Sequence, residues 1–290
     1  MIAIPPQFIA LAASLSYALC LVSARRGLHY SNPITVTCVS LIVHTVTLWT
    51  AVLITGGIPE VSTPAVLLFV IAGVIQPIIR FFTYTGVEKI GASRSGPLRS
   101  THPLFSTIIA ITVLHEQAGP SVLVGTVLVV IGIGLITYQS ERRLSMSRWW
   151  YVLFPLTAAL LAGIAHPIRR YALGISNQPL FFAALVGLVS LFCLIVYLVL
   201  PFNRPRLSWN RKALWPFIAA GLAETLGIFL VITALSIGNV VVVSPFVAIS
   251  PVWVLLGTVI FLRDLERLNA RTVIGTCTVV TGTIAISLGG

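Results

Sequence analysis

A few polar side chains stand out in this sequence because so little around them is polar. Ser95, Arg99, His102 and Ser106 recur at spacings of four, three and four. On a helix, that spacing stacks all four on one face. Gln76 and Arg80 lie one helical turn apart, and Glu224 is the one acid at mid-depth of a long apolar run. Arg99 and Arg80 could hold a carboxylate or phosphate through paired N–H donors. Glu224 could pair with either arginine, balance their charge, or take a proton or a substrate amine. Tyr17 and Tyr84 could complete a cavity around them. The alternative is that Arg80, Arg99 and Glu224 satisfy one another with no ligand. His44, alone among threonines, and His166, at the end of an apolar run, read as structural histidines.

This is the chemistry of binding rather than bond-making. The sequence carries no metal-ligand cluster, no phosphate-binding glycine loop and no conspicuous carboxylate pair, and His115-Glu116 lacks the second histidine of a zinc motif. No enzyme activity, metal or cofactor is expected. Cys20, Cys38, Cys193 and Cys277 all lie within apolar runs and read as small buried hydrophobes.

The elements that must position these residues follow from composition. Of 290 residues, 9% are charged and 57% hydrophobic, and the mean hydropathy is +1.03. A soluble chain carries about a quarter charged residues. So few charges cannot make an aqueous surface, so lipid must cover most of the exterior. The net charge of +11 does not point to nucleic acid. The basic residues form short clusters between apolar runs, as the positive-inside rule produces.

A spanning helix needs about 20 mostly apolar residues. Ten runs qualify, at roughly 7–24, 34–55, 64–86, 91–114, 119–138, 149–167, 179–201, 213–235, 239–262 and 271–288. The first has no basic stretch before it and reads as a span, not a cleavable signal. An arginine or acid at mid-span costs about 2.5–3.5 kcal/mol on insertion scales, so these side chains should face the bundle interior.

The chain also repeats itself. Residues 96–103 align with 244–251 at a shift of 148, which also pairs Gly73 with Gly221 and Gln76 with Glu224. The expected units are a first repeat over 1–140, a basic linker over 141–148 and a second repeat over 149–290. Five spans per unit is an odd number, so the second copy enters the membrane from the opposite side. The expected fold is therefore all-α and integral to the membrane. Ten transmembrane helices form two inverted five-helix repeats around a central cavity.

Pro97 and Pro103 in the fourth run, and Pro245 and Pro251 in the ninth, occupy equivalent places. Each removes a backbone donor, and in a membrane such breaks are tolerated where protein or a water-filled cavity covers them. Two kinked helices facing each other across a cavity are expected. The equivalent face of the ninth run reads Val243, Val247, Ser250 and Val254, so only the first repeat supplies cations there. Gly125 and Gly132 in the fifth run, and Gly275 and Gly282 in the tenth, suit close helix packing, within the bundle or in a homodimer.

Thirteen Lys and Arg residues lie in the loops after runs 1, 3, 5, 7 and 9, against Arg169 and Arg170 on the other side. That bias places the first set in the cytoplasm and both termini outside.

The twofold segment over 91–116 and 239–264 runs from a short loop through a proline-bearing helix to an apolar stretch and an acid. Each copy is followed by a glycine-bearing fifth helix. In this the chain resembles the drug/metabolite transporter superfamily, in its EamA branch, over essentially its whole length. The resemblance implies a ten-helix fold, a cavity lined by helices 1, 3, 4, 6, 8 and 9, alternating access, and transport of small metabolites, often by efflux. Two departures stand out. The first helix lacks the embedded carboxylate that binds cations and protons in the related small multidrug resistance proteins. The charge bias also reverses the cytoplasmic termini of well-known ten-helix relatives.

The function expected is secondary transport of a small anionic or zwitterionic metabolite across the cell (inner) membrane, such as an amino acid or organic acid. The substrate-binding set expected is Arg99, His102, Ser95, Arg80, Gln76, Glu224, Tyr17 and Tyr84. The alternatives are a carrier or flippase for a lipid-linked or hydrophobic compound, and a non-transporting membrane scaffold. The expected partners are the solute and membrane lipids.

Overall fold

The computed structural model describes residues 5–105, 120–143, 150–200, 206–238, 243, 246–266 and 268–288. Helical segments follow one another along them: α1 (Pro6–Leu28), α2 (Pro33–Ile54), α3 (Thr63–Ile90), α4 (Ala92–Arg99), α5 (Pro120–Arg143), α6 (Leu153–Ile175), α7 (Pro179–Val199), α8 (Arg211–Ile237), α9 (Ser250–Phe261) and α10 (Ala270–Leu288). No strand occurs among the described residues. Among the described residues, six helices are long and apolar enough to cross a membrane: α1, α2, α3, α7, α8 and the segment Trp150–Ile175.

The polarity of α3 is that of a membrane helix. Leu67, Ile71, Val74 and Ile78 follow a four-three-four spacing and are exposed. Gln76, Arg80 and Tyr84, one turn apart on the opposite face, are buried. An apolar outside and polar inside suit lipid rather than water. Pro77 sits inside this helix. It has no N–H and its ring crowds the carbonyl one turn back, at Gly73. The Ser190 hydroxyl of α7 shares its proton between that carbonyl, at 2.8 Å, and Val186 O of its own helix, at 2.6 Å, so a neighbouring helix meets the broken rung in part.

The run expected over 91–114 begins as a helix but breaks. α4 stops at Arg99, residues 100–101 form a turn, and helix resumes over 102–105. Pro103 crowds the Arg99 carbonyl, and the chain steps through three-residue bonds, Thr101 N to Leu98 O (3.3 Å) and Leu104 N to Thr101 O (3.0 Å). The stripe expected from Ser95 to His102 is therefore interrupted. Ser106 lies outside the described residues. In the second half the same bonds recur 148 residues on: Ile249 N to Phe246 O (3.4 Å) and Val252 N to Ile249 O (2.9 Å). Pro251 lies in the first turn of α9, and Pro245 is outside the described residues.

Helix packing falls into matched couples. α1 packs on α8 and α3 on α6; α2 on α8 and α3 on α7; α1 on α9 and α4 on α6. α2 with α7, α4 with α9 and α5 with α10 complete the set. Gly73 of α3 meets Val186 and Val189 of α7, while Gly221 of α8 meets Ser40 and Val43 of α2. The glycines of α5 and α10 face one another inside the chain. A Cβ on Gly282 would come 2.7 Å from the Gly125 carbonyl, and one on Gly132 2.8 Å from the backbone of Val279.

Two apolar layers bracket the middle. One joins Ala13, Phe69, Phe182 and Ile232, with the Phe69 and Phe182 rings stacked at 4.3 Å. The other joins Leu21, Val36, Val87, Phe217 and Leu262. The polar side chains singled out above lie between them.

Candidate functional site

Helices α1, α3, α4, α6 and α8, with Val247 and the first residue of α9, enclose a cavity of about 60 Å³, room for a few water molecules. The cavity is lined by Tyr17, Gln76, Thr83, Tyr84, Arg99, His102, His166, Arg169 and Glu224 among others. Six of the eight expected binding residues therefore reach it. Two do not. Ser95 is fully buried against α3, where its Oγ would lie 2.7 Å from a Cβ on Gly86. Arg80 is committed within the protein.

That commitment is complete at all three guanidinium nitrogens. Nε lies 3.1 Å from Glu224 Oε1, an ion pair without hydrogen-bond alignment. Nη1 donates to Ser40 Oγ at 3.0 Å and Nη2 to His44 Nδ1 at 2.9 Å. His44 Nε2 then donates to the Ala183 carbonyl at 3.0 Å, which fixes the neutral Nε2–H tautomer. A Cβ on Gly187 would collide with the His44 ring, so glycine is what lets α7 approach this histidine. His44 is the structural group its sequence suggested. Glu224 is closed on its other oxygen by the Tyr84 hydroxyl, which donates to Oε2 at 2.5 Å. Glu224 is paired, and its partner is Arg80 rather than Arg99.

Arg99 ends α4 at the break and lines the cavity half-buried. Among the described residues its guanidinium makes no hydrogen bond or ion pair. His102, just past the break, is buried with its ring edge-on to His166 at 4.9 Å. Its Nδ1 has no partner. Across the break, the Ser100 and Ser250 hydroxyls meet at 3.1 Å, joining α4 to α9. Tyr17 of α1 fits beside α8 because residue 227 is glycine; a Cβ there would meet its ring at 3.0 Å.

Sequence reasoning missed Arg169 and underrated His166. The sixth run was expected to end at 167, with Arg169 in a loop. Instead α6 continues through Pro167 to Ile175, and Arg169 is 3% exposed. Its Nη2 donates to Gln76 Oε1 at 2.7 Å, and its Nε is unpartnered. One signal was available: Ala162, Ala165, His166 and Arg169 share one helical face, small residues leading to polar ones. Arg99 and Arg169 thus line one cavity with Glu224, the one carboxylate there among the described residues, which Arg80 already pairs. Such an arrangement can bind an anion. It offers no nucleophile–base pair, and no group of three metal-ligating side chains occurs among the described residues.

Comparison with known proteins agrees with this architecture. The model of the EamA-like transporter family matches residues 5–138 and again residues 149–288. No curated protein sequence matches the chain significantly. Twenty-seven solved chains do match in fold. The crystal structure of one other protein superposes with a TM-score of 0.68 at 14% identity, covering 98% of this chain and 96% of its own.

Proposed function

Because the chain belongs to the EamA-like transporter family, a family of membrane transporters, we propose that it is a secondary transporter. It moves a small anionic or zwitterionic metabolite by alternating access. The observation that carries this reading is Arg99: a guanidinium at a helix break, lining an internal cavity, with no partner among the described residues. Holding an unpaired cation inside a membrane bundle is costly, and a bound anionic group would relieve it through charge-assisted N–H donors.

The matched packing couples support two inverted repeats of five helices, each contributing one broken helix, α4 and α9, to the centre. In such a plan, one repeat rocks against the other around a fixed site. The Ser100–Ser250 contact lies where the two breaks meet. The basic ends of α1 and α3, at Arg25, Arg26 and Lys89, support a cytoplasmic placement of that side in an inner membrane. A homodimer through α5 and α10 would use their outward faces, Val124, Val127, Val273 and Ile274, since their glycines are taken up within the chain.

The test is flux. Purified protein is reconstituted in liposomes loaded with a mixed metabolite panel, and what leaves is identified by mass spectrometry, beside Arg99→Ala. Escape of one class of anionic or zwitterionic solute, lost in Arg99→Ala, supports the proposal. Escape of nothing, with or without a proton gradient, refutes it; a requirement for lipid substrate would replace it with the lipid-carrier alternative.

A further inference from the structure

The unsatisfied groups in the cavity divide unevenly between donors and acceptors. Arg99 presents its guanidinium. Arg169 presents an unpartnered Nε–H, and Thr83 an unpartnered hydroxyl. His102 adds an Nδ1 that can donate or accept. Among the described residues, the carboxylate and amide acceptors each already take a donor. Glu224 gives one oxygen to Arg80 (3.1 Å) and the other to Tyr84 (2.5 Å), and Gln76 gives its carbonyl to Arg169 (2.7 Å). Each guanidinium nitrogen of Arg80 has a partner within the protein, and Arg80 does not line the cavity. Buried polar groups are met in a working structure, so the missing partner is rich in acceptors and poor in donors.

We propose that the cavity selects anions that carry no ammonium group, held between Arg99 and Arg169, with Thr83 as a neutral donor. This rests on the transport reading above and narrows it, for it excludes the zwitterionic amino acids. An α-ammonium would have to share Glu224, the one carboxylate lining the cavity among the described residues, with Arg80 and Tyr84, and would sit with two guanidiniums. Like charges brought together without water disfavour a partner strongly. Arg169 is then a specificity residue. Its Nη2 is oriented by Gln76, which leaves Nε for the solute.

The experiment compares solutes that differ by one amino group. Succinate is set against aspartate, glutarate against glutamate, and pyruvate against alanine, with inorganic phosphate as a nitrogen-free oxyanion. Binding to the purified full-length protein is read as ligand-induced thermal stabilisation, and transport as counterflow in proteoliposomes. The amine-free member of a pair should be preferred at least about tenfold. Arg169→Gln should lose that preference, and Arg169→Lys, which keeps the charge, should retain part of it. Equal or better recognition of the amino acid overturns the inference while leaving transport intact. So does an ammonium-bearing solute emerging from the mixed panel. A folded Arg169→Gln protein with undiminished selectivity overturns the assignment of Arg169. If Arg169→Gln does not fold, the paired solutes on the unaltered protein still decide. If no solute of any kind moves, the transport reading fails first and this one with it.

Discussion

Replacing Arg80 by methionine removes a guanidinium that no solvent reaches. Its side chain is 0% exposed and that of Glu224 11% exposed, with 3.1 Å between Nε and Oε1. At that separation, an effective dielectric of about 20 gives roughly 5 kcal/mol of attraction. Removing one member of a buried pair typically costs about 3–5 kcal/mol, because the other is left charged and alone. Arg80→Met strands Glu224 and also leaves Ser40 and His44 Nδ1 without a donor. Glu224→Gln strands Arg80. At about 2 °C per kcal/mol for a chain of this size, each variant should melt about 6–10 °C lower. The double variant removes both charges, so its loss should fall short of the summed single losses by about 6 °C. The assay is thermal melting of detergent-purified protein at one scan rate. Single losses that simply add in the double variant would refute the claim that this pair is energetically coupled.

Arg99 should behave in the opposite way: Arg99→Gln strands nothing, so its melting midpoint should move by less than about 2 °C, while flux of the solute falls at least about tenfold. Gly282→Ala should destabilise by about 1–3 kcal/mol, since the new methyl meets backbone of α5 at 2.7 Å. Gly174→Ala, where nothing lies within 4 Å, should be neutral or gain up to about 1 kcal/mol; the same melting assay separates the two. Glu266 accepts from the Ala92 and Ser93 amides at 2.6 and 3.0 Å and pairs with Arg25 at 2.9 Å. It therefore clasps the α4 N-terminus to α1, and Glu266→Ala should cost about 1–2 kcal/mol in that assay.

The membrane class and the equivalence of the two broken helices were legible in the sequence, because both rest on composition and spacing. So was the arrival of Arg99 and His102 at one cavity, although the helix that carries them breaks between the two. Arg169 was not legible. A hydropathy window ends at the first cluster of cations and cannot tell an arginine facing an internal cavity from one at the headgroups. Once Arg169 is placed inside α6, it joins Arg99 at the cavity in the place expected for Arg80, which pairs with Glu224 instead. Nor could spacing choose between Arg80 and Arg99 as the partner of Glu224. That depends on how α3 and α8 face each other across α2, whose Ser40 and His44 take the rest of Arg80. The glycine stripes suited both intrachain and intersubunit packing; only the tertiary contacts show α5 and α10 using them on each other.

In alternating access the cavity opens in turn to the two sides of the membrane. Thr83 lines it, and its hydroxyl has no partner within the protein, so Thr83→Cys in a variant without the four native cysteines breaks no bond inside the bundle and gives up only the proposed donor to the solute. A membrane-impermeant thiol reagent is applied to right-side-out and inside-out vesicles. Labelling from both sides, slowed by the transported solute, is the predicted result. A cysteine reached from one side only, and indifferent to solute, would contradict the central claim.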